Sequence, residues 1–247
     1  DVGEMMKYGL KCAFIFCLGL NLVSSISKAD ETKSEVGDNN IYVFATYGLA
    51  SLDANISSSV NSGSLSVTST LDDEGSSRTF GFGWQKSKNI SFEVYASEAD
   101  GFNATTTLTA TNAVINGNTY NGTLSVNEEI SGTLVGANAV FTNAKRFTSG
   151  STLSFSGRIG LAQHNVKDNL SVSGAGTING VSYSVASPIL TTLKEKGTSV
   201  TYGAGLNFAI SDDFGLSFGI THIPGLGGGD LVEADLTSYD IGLAVKF

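Results

Sequence analysis

The chain has 247 residues, with 30 Gly and only 2 Pro, and 23 Asp and Glu outnumber 14 Lys and Arg. A formal charge of −9 lacks the basic footprint that nucleic acid requires. The wealth of Gly, Ser, Thr and Asn suits many strands joined by turns and argues against a helical bundle, in one domain or two small ones.

The first 29 residues read as a cleavable signal peptide. Lys7 and Lys11 precede the apolar run "CAFIFCLGLNLV", and Ser27 and Ala29 close it in an A-x-A-like site, so cleavage is expected between Ala29 and Asp30. Met5 or Met6 is the expected start, which leaves residues 1–4 as an overhang. About 12 apolar residues fall short of the roughly 20 that a membrane-spanning helix needs, which disfavours an uncleaved anchor. Cys12 and Cys17 both lie in this segment. A lipoprotein signal is the weaker alternative, since neither cysteine follows small residues at a cleavage point. A chain beginning at Asp30 has no cysteine and hence no disulfide or thiolate metal site.

After a short lead over 30–40, segments of about ten residues alternate apolar side chains with small or polar ones, the period of a strand. "IYVFATYGLAS" puts Ile41, Val43, Ala45, Tyr47 and Leu49 on one face. "TFGFGWQ" does so with Phe80, Phe82 and Trp84, and "ISFEVYAS" with Ile90, Phe92, Val94 and Ala96. The phase of "ISGTLVGANAVF" is ambiguous; Val135, Ala137, Ala139 and Phe141 are the favoured apolar face. "LSFSGRIGLAQ" aligns Leu153, Phe155, Ile159 and Leu161, and "SVTYGAGLNFAI" aligns Val200, Tyr202, Ala204, Leu206 and Phe208. "FGLSFGITH" aligns Phe214, Leu216, Phe218 and Ile220, and "SYDIGLAVKF" aligns Tyr239, Ile241, Leu243, Val245 and Phe247.

Eight segments are joined by short links ("KSKN", "TNAKRFTSGS", "SDD") alternating with long ones near 52–78, 98–129, 165–197 and 222–236. Short turns on one side and long loops on the other predict an eight-stranded antiparallel up-and-down transmembrane β-barrel over 41–247. Pro188 and Pro224 fall in the long loops, where no ladder hydrogen bond is lost. "VNSGSLSV", "VINGNTYNG" and "TINGVSYSV" carry hairpin signals, so these loops are read as strand extensions above the membrane.

The apolar faces contain no charged residue, whose cost at a bilayer midplane is about 2–4 kcal/mol. Tyr47, Trp84, Phe141, Phe214, Tyr239 and Phe247 gather near segment ends, as interfacial girdles do. The opposite faces carry Gly, Ser, Ala and Thr, which suit a narrow lumen. A secreted β-sandwich or adhesin domain is the alternative. Glu93, Arg158, Asp240 and Lys246 are the charges left for the lumen. Ions in so narrow a space are expected to pair, with Arg158 bonded to Glu93, Asp240 or both. The pairing reads either as a gate on a small conductance path or as structural filling, and filling is favoured.

The signal peptide, the eight segments and the ending resemble the small eight-stranded outer-membrane barrels, namely the outer membrane protein A-like transmembrane domain and its opacity-protein relatives. "IYVFATYGLA" looks like their first strand, and "GFGWQKSKNISFEVYAS" like the second hairpin with its inward glutamate, here Glu93. The ending resembles their assembly signal, with Asp240, Gly242, Val245 and Phe247 in its places. The resemblance implies residence in the bacterial outer membrane, contact with its lipid, recognition of the last strand by the barrel-assembly machinery, and a monomer.

Catalysis would need a nucleophile with a base in reach. His164 and His222 are the only histidines, and neither sits in a recognisable motif, so no enzyme activity is expected. No cofactor or metal is expected either: the acidic loop clusters lack EF-hand spacing. The expected role is an envelope scaffold exposed at the surface, with its Thr- and Asn-rich loops available for adhesion or another extracellular partner. The alternatives are a narrow passive pore and, less favoured, a lipid-modifying barrel.

Overall fold

The computed structural model describes residues 40–54, 58–87, 89–146, 152–211, 213–228 and 231–247. The signal peptide, the Ala29–Asp30 cleavage point and the lead up to residue 39 lie outside the described residues.

Alternating side chains and Gly-rich turns produce antiparallel strands throughout. They are β1 (Asn40–Ala54), β2 (Ser58–Ser62), β3 (Leu65–Asp72), β4 (Glu74–Ser87), β5 (Ile90–Ile115), β6 (Asn118–Arg146), β7 (Thr152–Ile178), β8 (Val181–Ala209), β9 (Phe214–Gly228) and β10 (Leu231–Lys246). Eight of them close a ring in the order β1-β4-β5-β6-β7-β8-β9-β10, with β10 paired back to β1 from Tyr42↔Lys246 to Ala54↔Ala234. Closure satisfies the backbone of every strand in the ring, the condition for a sheet to cross hydrocarbon. A two-sheet sandwich is excluded by this topology.

The strand phases agree with the alternation in all eight segments. Phe92, Ile159 and Leu243 point outward and are 47%, 54% and 47% exposed, whereas Glu93 on the opposite face is 7% exposed. The fourth segment is settled too, with Val135 and Phe141 outside and Asn138 buried inside. The six girdle aromatics Tyr47, Trp84, Phe141, Phe214, Tyr239 and Phe247 are all exposed on the outer face.

The long links are strand, as the hairpin signals imply. β5 to β8 run 26, 29, 27 and 29 residues, far beyond the ten or so that cross a bilayer. Their tips turn at Asn116-Gly117 and Asn179-Gly180, with φ of 50° and 79°, then 51° and 79°. Two successive positive φ values define a type I′ turn, which Asn-Gly adopts with least strain. β2 and β3 form a further hairpin against upper β5, from Leu65↔Ala110 to Asp72↔Asn103. Pro188 and Pro224 lie within β8 and β9 and not in loops, which corrects their placement. Each sits at an irregularity: the β7–β8 register skips there, with Leu170↔Thr191 followed by Val172↔Ser187, and β9–β10 shifts beside Ile223. The missing N–H therefore breaks no regular ladder.

Chemistry reverses along these strands although their geometry does not. The β6–β7 register runs unbroken from Arg146↔Thr152 to Tyr120↔Ile178. Within the lower third the outer residues are apolar (Phe155, Ile159 and Leu161 on β7). Above Leu161 they become Gln163, Asn165, Lys167, Asn169 and Ser171. On the inner face the change is opposite, from Ser154, Ser156 and Arg158 to Val166, Leu170 and Val172. The lipid-crossing part of β7 thus ends at Leu161. The outer face above it is laced by hydroxyl and amide ladders, including Thr105 Oγ1 to Asn127 Oδ1 (3.2 Å), Thr107 Oγ1 with Ser125 Oγ (3.0 Å) and Thr192 Oγ1 to Asn169 Oδ1 (2.9 Å).

Candidate functional site

The lower lumen is built on a repeated device, an inward glycine bridged by longer side chains from the strands on either side. Tyr42 pairs with Gly83, which pairs with Glu93. The Tyr42 ring occupies the space a Cβ on Gly83 would need, and its hydroxyl donates to Glu93 Oε1 at 2.8 Å. Asp240 crosses Gly48 to accept from Ser77 Oγ at 2.7 Å, while Ser238 Oγ donates to its other oxygen at 2.8 Å. Asn138 crosses Gly160, and Thr201 Oγ1 donates to its Oδ1 at 2.7 Å. Gly81 likewise gives its space to the ring of Phe44, and Gly136 to that of Tyr95. The small residues of this face are therefore partners of large ones, and together they fill the lumen.

Glu93, Arg158 and Asp240 do line one cavity, of about 40 Å³, at the common height expected for them. The direct ion pairs expected of Arg158 are not made: among the described residues no carboxylate oxygen lies within 4.0 Å of it. Tyr42 and Ser77 reach the carboxylates first because each stands one glycine away, and Ser238 because it is two residues before Asp240 on the same strand. The Arg158 guanidinium lies over Gly205 and Gly219, and its Nε and Glu93 Oε2 are buried without a partner. Lys246 is apart from the other three, near the short-turn end, where its Nζ reaches Gln85 Oε1 at 3.4 Å. At roughly 10–15 Å³ per water, the cavity has room for about three.

Above this layer the interior is apolar. Leu52, Phe102, Leu134, Ile223, Leu226 and Leu236 are all buried in one cluster. Five of these six came from stretches read as long links; only Leu134 was in a predicted strand. A second cavity, of about 160 Å³, lies among five of these side chains, all but Ile223, and those of Glu128, His164 and Asp168. His164 is 4% and Asp168 6% exposed, and each keeps a buried polar atom, Nε2 and Oδ1, without a partner. Burial pushes the Asp168 carboxyl up to about 6, with the neighbouring Glu128 adding to the effect. Burial also raises Glu128, and it lowers His164 against a smaller opposing pull from Glu195. His164 Nδ1 lies 3.3 Å from Ser199 Oγ, whose hydroxyl also reaches the Gly225 carbonyl at 3.1 Å. His222 is on the outer face, bonded to Thr237 and 3.7 Å from Asp235, so the two histidines share no site.

Three solved structures share this architecture: Neisserial surface protein A (13% identity, TM-score 0.45), covering 85% of this chain and 100% of the other; the attachment invasion locus protein of Yersinia pestis (13%, 0.45, 85% and 100%); and OprG of Pseudomonas aeruginosa (11%, 0.47, 86% and 97%). The likeness is one of fold. No protein-family model matches the chain, and no curated protein does. What decides the setting is the continuous apolar belt around a closed eight-stranded ring. This is an eight-stranded transmembrane β-barrel.

At the C-terminus of the barrel, the expected assembly residues divide between the two faces of β10. Val245 and Phe247 face lipid. Asp240 and the buried Gly242 face the lumen, where a Cβ on Gly242 would press on Thr46 Cγ2 and Ser217 Oγ at 2.6 and 2.7 Å. The Phe247 N–H donates to the Ile41 carbonyl at 2.9 Å, locking the last residue to the first strand. Among the described residues no group of three His, Cys, Asp or Glu could hold a metal ion. The upper cavity escaped the sequence reading. The available signal was the inward row Glu128, Ile130 and Leu134 on β6 beside His164, Val166 and Asp168 on β7.

Proposed function

We propose that this barrel is a structural, surface-exposed protein of the outer membrane, working as a monomer and making its contacts through the strand extensions above the bilayer. The observation that carries this reading is the filled lumen: Phe44, Tyr95, Leu134 and Asn138 are buried across it, and the charged cavity is only about 40 Å³. The outward ladders of Thr, Asn and Ser give the extensions a polar face suited to adhesion, and function collects on such surfaces of a rigid scaffold. The barrel-assembly machinery is its partner during biogenesis, reading Asp240, Gly242, Val245 and Phe247. No enzyme activity belongs to this reading, and His164→Ala with His222→Ala is expected to leave lipid composition unchanged.

A narrow pore is the second reading, favoured by the unpaired Arg158 Nε and Glu93 Oε2 around the lower cavity. Planar-bilayer recording separates the two. Steady openings abolished by Arg158→Ala support the pore. Electrical silence, with surface binding of whole cells lost when the β5–β6 and β7–β8 hairpins are shortened, supports the scaffold.

A further inference from the structure

The cavity at the mouth of the barrel is unlike a packing defect, because its lining combines two chemistries. Its volume of about 160 Å³ is close to that of an apolar cavity, roughly 150 Å³, that accepts benzene. Leu52, Phe102, Leu134, Leu226 and Leu236 supply apolar lining. Glu128 and Asp168 join the lining from adjacent strands, beside Ile130, Val166 and Leu170: Asp168 pairs with Ile130, so Glu128 lies on its diagonal and on the same face. Asp168 Oδ1 and His164 Nε2 are both buried there with no partner. A buried polar atom left unpaired destabilises the fold, and more so where it carries charge.

The charges around the cavity are of one sign. Glu128, Asp168 and Glu195 occupy inward positions of β6, β7 and β8, Glu195 opposite Val166. Lys167, Lys194 and Lys196 belong to the alternate, outward positions. An anion entering this space meets two carboxylates and, in His164, an imidazole whose charging burial disfavours, and a plain hydrocarbon leaves Asp168 unpaired. A compact apolar body ending in an ammonium group satisfies both chemistries, since a charge-assisted hydrogen bond is roughly twice as strong as a neutral one.

We propose that this mouth cavity is a binding site for a small primary amine with an apolar body of about six to ten heavy atoms, its ammonium held by Asp168 and Glu128. The site is separate from the adhesive surface proposed above, because its residues face the axis and not the outer ladders. Either reading can fail while the other stands.

The test uses the folded barrel in lipid nanodiscs, titrated with phenethylamine, with phenethyl alcohol and toluene as neutral counterparts of similar size. Amide chemical shifts are followed by NMR. Saturable shifts clustered at residues 128–134, 164–168 and 226–236 are expected with the amine. Asp168→Asn should weaken its binding at least about tenfold, as loss of a buried charge partner does. Ala99→Leu, which fills the apolar end without touching a carboxylate, should abolish it. Heat-modifiability on gels establishes that each variant is folded, and Glu128→Gln serves in place of Asp168→Asn should that variant fail to fold. The proposal is overturned by equal binding of amine and alcohol, by shifts spread over the lipid belt, or by undiminished amine binding in the folded carboxylate variant.

Discussion

Replacing Ile159 by Arg puts a charge inside the proposed lipid belt. With a rise of about 3.3 Å per residue and a strand tilt near 40°, each residue climbs about 2.5 Å along the barrel axis. The outward run from Leu153 to Gln163 then covers about 25 Å, the height of the apolar band in such barrels. Ile159 stands roughly 15 Å above Leu153, inside the belt and about 10 Å below Gln163, with 54% of its surface exposed. Arg at that depth should destabilise the barrel by about 2–4 kcal/mol. Gln163 faces the same way on the same strand, four residues higher, where the band ends. Arg there should cost about 0–1 kcal/mol. Reversible urea unfolding in phospholipid vesicles, read by tryptophan fluorescence from Trp84, measures both. A face turned to water would accept either arginine alike, so equal small effects would refute the membrane assignment. A large loss at both positions would refute the placement of the belt edge at Leu161.

Gly83→Ala drives a methyl into the Tyr42 ring and should cost about 1–3 kcal/mol by overpacking, while also displacing Tyr42 from Glu93; the additional Tyr42→Ala change should recover the steric part in the same urea assay. Asp168 titrates at about 6 in the fold, above its ordinary 3.8. Between those values the folded state keeps a proton that the unfolded state releases, so stability should rise as pH falls from 7 to 4, by about 1 kcal/mol after allowing for solvent screening at the mouth. Asp168→Asn should remove the Asp168 share of that slope, leaving that of Glu128, and be the more stable protein at pH 7.5. The two long hairpin tips are tied together: Asn179 Nδ2 donates to Asn118 Oδ1 at 2.7 Å, and Thr119 N–H donates to Asn179 Oδ1 at 2.8 Å. Asn179→Ala should therefore speed proteolysis near residues 116–119 several-fold without shifting the urea midpoint of the barrel.

The lipid-crossing strands were legible because hydrocarbon tolerates no ambiguity. A one-residue slip would turn Glu93 and Arg158 into lipid, so the outer rows of seven segments read cleanly, and only "ISGTLVGANAVF" was ambiguous in phase. Side-chain contacts inside were less legible. Alternation places Tyr42, Glu93 and Asp240 on the inner face, but Ser77 fell in a stretch read as a link, and alternation does not say which hydroxyl reaches a carboxylate before Arg158 does. The decisive feature was the glycine between each pair, Gly83 for Tyr42 and Glu93, Gly48 for Asp240 and Ser77. The upper core was hidden for another reason, since irregularities break the period that reveals a strand. Gly101, with φ of 95°, sits where the β5–β6 register jumps from Ala99 to Phe102, so that both of those residues face inward. Shifts between Leu231, Ala234 and Leu236 do the same on β10.

The reversal of chemistry at the rim follows from which solvent each face meets. Below Leu161 the outer face meets hydrocarbon, which costs apolar side chains nothing, and the lumen is too narrow for bulk water, so small residues and hydrogen-bonded polar ones fill it. Above the rim the outer face meets water, and burying apolar side chains on the inner face becomes favourable, at about 25 cal/mol per Å². One unbroken ladder serves both regimes because only the residue types change. The cross-strand row Val67, Leu108, Leu124, Gly174 and Val185 is thus the lumen lining continued into the extracellular sheet. The cavity that joins an apolar lining to the unpaired Asp168 Oδ1 lies below this row, at the boundary between the two regimes.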